Sequence, residues 1–131
     1  MKFQGVVLAG LMSATATFAQ GVPVETTQLG GSKISLYAYN FLTPEDLSTL
    51  RFVASNEQGL GLFIQNGARF AAIAVAPQEG FLRGGQPVAS ATAISHSPDL
   101  AAARKTAIEH CDKQRKTSAG CLVVLEVSPA K

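Results

Sequence analysis

Tryptophan is absent from this 131-residue chain, and aromatic residues make up only 7% of it. Carbohydrate sites and aromatic cages depend on stacked rings, so both readings lose their usual residues. There are two histidines and two cysteines. His110 is adjacent to Cys111 on one predicted helix, so the two do not converge on one ion, and a zinc site lacks further ligands at suitable spacing. A Cys-x-x-Cys redox pair is missing as well. Charge of one sign is scarce. The net charge of +2 draws neither nucleic acid nor anionic lipid by bulk electrostatics. The only basic cluster, Lys113, Arg115 and Lys116, has no aromatic platform beside it and reads as a solvated helix end.

Other motifs are missing too. Gly59-Leu60-Gly61 lacks the third glycine of a dinucleotide fingerprint and the surrounding βαβ unit. No G-x-S-x-G elbow occurs. The pairs Glu45/Asp46 and Glu109/Asp112 have helix-surface spacing, with no acid set across a cleft from either. No cofactor is expected. No apolar run approaches the ~20 residues that a membrane-spanning helix needs.

What is present begins with an address. Lys2 supplies a short positive region, residues 6–12 an apolar core, and Thr17-Phe18-Ala19 a small-residue site before Gln20. This order is the signature of a secretory signal peptide, with cleavage expected between Ala19 and Gln20. The expected organisation is a signal peptide over 1–19, a flexible mature N-terminus over 20–32 and a single domain over 33–131. The expected location is the periplasm or the exterior, with no membrane span after cleavage.

Residues 33–40 alternate. Ile34, Leu36 and Ala38 fall on one side, and Lys33, Ser35, Tyr37 and Tyr39 on the other, as in a half-buried strand. Thr43, Pro44, Glu45 and Asp46 make a helix start: a cap, a proline at the first position and early acids. Leu47, Leu50, Val53 and Ala54 continue it to about Asn56. Asn66-Gly67 predicts a hairpin turn between strands over 60–65 and 68–76. The alanine-rich second arm predicts close packing by a helix. Residues 77–87 read as a loop and 88–95 as another strand. Ser97-Pro98-Asp99 predicts a second helix start, with Ser97 as cap and Leu100, Ala103, Ala107, Ile108 and Cys111 as the apolar stripe. Residues 121–127 are apolar on both faces, as in an inner strand. The sum is an α+β domain, with two helices packed on a small, mostly antiparallel sheet.

An even cysteine count in an exported chain predicts a Cys111–Cys121 disulfide, which pins the last helix to the last strand. Closing that loop stabilises the fold by about 3 kcal/mol in the chain-entropy description.

Three function classes remain. The first is a non-catalytic binding or accessory protein that meets a periplasmic or envelope protein through the 77–87 loop, where Phe81, Leu82 and Arg83 form an anchor. The second is a small secreted hydrolase that uses His96 with Ser95 or Ser97 and Asp99. The third is an inhibitor that inserts the same loop into an enzyme's cleft.

The run FAAIAVAP from Phe70, the AAARKTAIEHC helix and CLVVLEV from Cys121 together resemble small exported bacterial domains of unknown function. In those domains an AAIA-x-x-P strand precedes an alanine-rich helix ending in Cys, and a second Cys opens a Val-rich strand. The resemblance covers about half the chain and not residues 33–66. It implies a secreted or periplasmic α+β domain with a Cys111–Cys121 bridge, and no established activity.

Overall fold

The structure is a computed structural model that describes residues 15–19 and 21–130. The elements run β1 (Thr15–Ala19), β2 (Val22–Leu29), β3 (Ser32–Tyr37), α1 (Pro44–Ser55), α2 (Glu57–Gly61), β4 (Ala71–Val75), β5 (Leu82–Arg83), β6 (Gln86–Pro87), β7 (Thr92–Ile94), α3 (Leu100–Gln114) and β8 (Leu122–Pro129). Six strands form one sheet in the order β1-β2-β3-β8-β4-β7, and β5 and β6 form a separate ribbon. Every pairing in the large sheet is antiparallel. The fold is therefore α+β, as its pattern predicted.

The two faces of the sheet differ in chemistry. One buries Ile34, Leu36, Ile73, Val75, Leu125 and Val127 in a core that includes Leu50 and Val53 of α1. On the other, Ala72, Ala74 and Ala76 lie in a cluster with Ala103, Ala107 and Cys111 of α3. Alternation along β4 sends Ala71, Ile73 and Val75 to the α1 side and Ala72 and Ala74 to the α3 side. β8 pairs with β3 on one edge and β4 on the other, and its faces pack on both clusters, Leu125 and Val127 on the first and Val123 on the second, so its sequence is apolar on both sides.

Local sequence sets the helix starts. Thr43 Oγ1 accepts the Asp46 N–H at 3.0 Å, and Asp46 Oδ2 accepts the Thr43 N–H at 3.2 Å. This reciprocal pair is a capping box. Asp46 has a second task. It is fully buried, and its Oδ1 accepts the N–H of Leu82 at 2.9 Å. One carboxylate thus starts α1 and anchors the chain after β4. This corrects the expectation that Glu45 and Asp46 form a surface pair: Glu45 is exposed and Asp46 is not.

Four other expectations change. Residues 22–29, expected to be a flexible N-terminus, are strand β2, paired with β3 from Val24↔Tyr37 to Leu29↔Ser32. Gly30, at φ 60°, opens the two-residue turn between them, where a positive φ suits glycine. The predicted 60–76 hairpin does not form. Asn56 Oδ1 accepts the Gly59 N–H, so the chain makes the short helix α2 instead, and β4 pairs with β8 and β7. Gly59 fits there because a Cβ would lie 2.7 Å from the Phe52 ring. The cap of α3 is Asp99, whose Oδ1 accepts the Ala102 N–H at 2.8 Å; Ser97 lies before the helix. The strand expected over 88–95 shortens to Thr92–Ile94.

Replacing Asp46 with alanine removes a cap and strands a buried Leu82 N–H. The expected cost is about 3 kcal/mol in urea denaturation. An unchanged midpoint would show that Asp46 holds nothing together.

Candidate functional site

The two cysteines form the expected bridge. Their sulfurs are 2.02 Å apart and their Cα atoms 6.1 Å apart. The enclosed loop is stitched further. Asp112 Oδ1 accepts the Cys121 N–H at 2.9 Å and an Arg115 N–H at 2.8 Å, which hold its carboxyl below the usual range.

The 77–87 loop is not the anchor predicted. Phe81 and Leu82 are buried, and Phe81 packs against Phe63 with ring centroids 5.2 Å apart. The fixed point is Asp46, which draws in the backbone at Leu82 and lies 3.6 Å from Arg83 Nη1. Only Arg83 of the three remains exposed. Gly84 and Gly85, both at positive φ, turn the β5–β6 ribbon outside it. Glu79 fixes the start of the loop. Its carboxylate accepts the Ser90 and Thr117 hydroxyls at 2.5 and 2.8 Å and the N–H groups of Lys116 and Thr117 at 2.6 and 2.9 Å.

The predicted hydrolytic residues are not assembled. Ser95 Oγ accepts the Gln65 N–H at 3.0 Å, and Asp99 is the α3 cap. His96 is exposed at φ 61°, in the turn before α3. Of the expected cleavage pair, Ala19 ends β1 and Gln20 lies outside the described residues. Among the described residues no group of three or more His, Cys, Asp or Glu could hold a metal. No helix of the described residues is long and apolar enough to cross a membrane.

The richest side-chain chemistry lies beside α3. Arg104 and Ile108, one helical turn apart, occupy the flank of α3 next to β8 and β3. There they border a groove of about 470 Å³ with Tyr37, Tyr39, Leu122, Val123 and Glu126. Glu126 is 5% exposed, the only acid in the inner strand. Its carboxylate accepts N–H groups from Nε and Nη2 of Arg104, the latter at 3.1 Å, and the Tyr37 hydroxyl at 3.0 Å. A buried carboxylate persists only with partners of this kind. Glu126 engages two guanidinium nitrogens from below and so fixes the plane of Arg104, whose side chain is 46% exposed at the groove. Among the described residues, Glu126 binds through Nε and Nη2 and leaves Nη1 outside that pair. Burial, then the Glu126 charge, push the Tyr37 hydroxyl above its ordinary pKa of 10.0. The same two causes raise Tyr39, which stacks on Phe41. Both phenols are therefore neutral donors at physiological pH.

The arrangement offers an oriented cation, the neutral Tyr39 hydroxyl and an apolar floor, while the Tyr37 hydroxyl already donates to Glu126. Sequence reasoning missed it, although two signals were present. The alternation put Tyr37 and Tyr39 together away from the core, and an acid sat inside an otherwise apolar strand.

A second cleft of about 410 Å³ lies at the end of the sheet, between the β2–β3 turn and α2, with Glu57 and Arg69 among its lining residues. Gly30, Gly31, Gly61 and Gly67 line it alongside Leu29 and Leu60.

Comparison with protein-family models, with curated proteins and with solved structures finds no match to this chain.

Two outcomes are expected. Glu79 is held at about 2, against an ordinary 4.5, by the Ser90 and Thr117 hydroxyls and the Lys116 N–H. A depressed acid stabilises the fold above its ordinary pKa, and that stability is lost as pH falls toward 2. Glu79→Gln should therefore flatten the fall in melting temperature between about pH 4.5 and 2; an unaltered acid limb would contradict the assignment. In the alkaline range, absorbance titration of the phenols should lie above the ordinary 10.0 and move down in Glu126→Gln. Because the folded state resists ionisation, stability is present below pH 10 and declines above it.

Proposed function

We propose that this protein is an exported, non-catalytic accessory protein that binds a small amphipathic ligand in the groove beside α3. The ligand class is a flat or branched apolar body ending in a carboxylate. One observation carries the reading: buried Glu126 holds Arg104 by two nitrogens at the mouth of a groove floored by Tyr37, Tyr39, Ile108, Leu122 and Val123. A guanidinium fixed in this way is organised before the ligand arrives, so little side-chain entropy is lost on binding. The apolar floor supplies contact area, and the Tyr39 hydroxyl supplies a donor for the second carboxylate oxygen.

The export half of the proposal rests on the order of charge, apolar core and small residues over 1–19. The Cys111–Cys121 bridge is consistent with an oxidising compartment. The groove replaces the 77–87 loop as the contact surface, because Phe81 and Leu82 are committed to the core.

The chain contains two tyrosines, both in the groove, and no tryptophan, so intrinsic fluorescence reports this site directly. Titration with phenylacetate should change tyrosine emission saturably. Benzylamine and benzyl alcohol, which share the ring without the anion, should bind much more weakly. Arg104→Gln should weaken phenylacetate by roughly tenfold or more, the loss of one charge-assisted contact. Equal responses to all three probes, or an Arg104→Gln curve that overlays the parent, would sink the proposal.

A further inference from the structure

Strand β1 ends at Ala19, the residue before the expected cleavage point, so processing there removes the whole strand. In the structure β1 covers the outer edge of β2, with Ala19↔Val22, Thr17↔Val24 and Thr15↔Thr26 in register. The Pro23 carbonyl accepts the Ala38 N–H at 2.9 Å, so Pro23 turns its backbone inward toward β3. In an antiparallel strand the backbone groups of alternate residues point to opposite sides. Val22, Val24 and Thr26 therefore turn theirs outward, and each has an N–H to donate. The proline of β2 does not blunt the edge that processing would expose.

We propose that this edge, once β1 is removed, is taken by β2 of a second copy, giving a two-fold dimer with one continuous antiparallel sheet. The inference rests on the export reading above. It draws support from the edge already holding an antiparallel strand over five residues. The sequence of β2 suits self-pairing. With the two-fold axis at Val24, that residue faces its own copy and Val22 faces Thr26. Glu25 faces Pro23, and no like charges oppose. The Glu25 carboxylate is already held by Arg51 of α1 at 2.7 Å. An isologous contact of this kind closes on itself and does not propagate into fibres.

The test uses the product exported by cells that express the full chain. Denaturing mass spectrometry reads the processing site, and native mass spectrometry of the same sample reads the oligomer. A chain beginning at Gln20 that runs as a dimer is the expected result. In Thr26→Pro, which lacks one outward N–H in each copy, the same processed chain should fall to monomer, while Thr26→Val should keep the dimer. A processed chain that is monomeric at tens of micromolar overturns the edge proposal and leaves export standing. A full-length mass overturns the export reading and the dimer with it. A dimer unaffected by Thr26→Pro also overturns the proposal, because the contact then lies elsewhere.

Discussion

The contact on which the rest of the molecule depends is the near-absence of side chains between α3 and β4. Ala72, Ala74 and Ala76 on the strand share a buried cluster with Ala103, Ala107 and Cys111 on the helix. Small residues on both partners let the backbones approach closely. The helix is then held by van der Waals contact and by the disulfide at its end, with little apolar bulk between the layers. The alanines of β4 also place the helix. They draw α3 over β4 and its neighbours β7 and β8, so the flank over β3 stays uncovered. The groove is the space left by that offset, and Arg104 and Glu126 span its border.

Two buried carboxylates do different work. Asp46 accepts backbone N–H groups from two separate segments, and Glu126 accepts a guanidinium and a phenol. Backbone donors cannot leave, so Asp46 is committed to architecture. Its partner Arg83 lies at the surface as a consequence of that anchoring. The donors on Glu126 are side chains at the rim of a groove. Their positions are fixed by the acid beneath, at the border of the groove. The two acids therefore differ in their partners, since both are nearly or fully buried.

Much of the architecture was legible in the sequence because its signals are local. The Thr43-Pro44 start, the alternation of residues 33–40, the two-sided apolar run of β8 and the cysteine pair each report their own surroundings. The alanines of β4 even announced a helix above them. What escaped depends on longer reach. The Asn66-Gly67 turn is real, and Gly67 has φ 80°, but Asn56 caps α2 and takes the residues needed for the first arm of a hairpin. The pair Gly30-Gly31 is a hairpin signal too, and it makes the turn between β2 and β3. Phe81 looked like a loop anchor because no local pattern reveals that Asp46, 35 positions earlier, captures the neighbouring amide. The groove beside α3 was hardest to read, since Tyr37, Arg104 and Glu126 come together only once β3, α3 and β8 have found their places.

The position of β8 has a consequence for when the fold can be acquired. It is the last element in chain order, yet it lies between β3 and β4 and holds the two halves of the sheet together. A chain still being synthesised, complete only as far as α3, has a hairpin on one side and a short strand pair on the other, with nothing to join them. It also lacks the partner for Cys111. The barrier to folding therefore includes closing long-range contacts that local structure cannot supply in advance. Until Leu122–Pro129 arrives, the polypeptide stays uncommitted, a condition in which a narrow channel can still thread it.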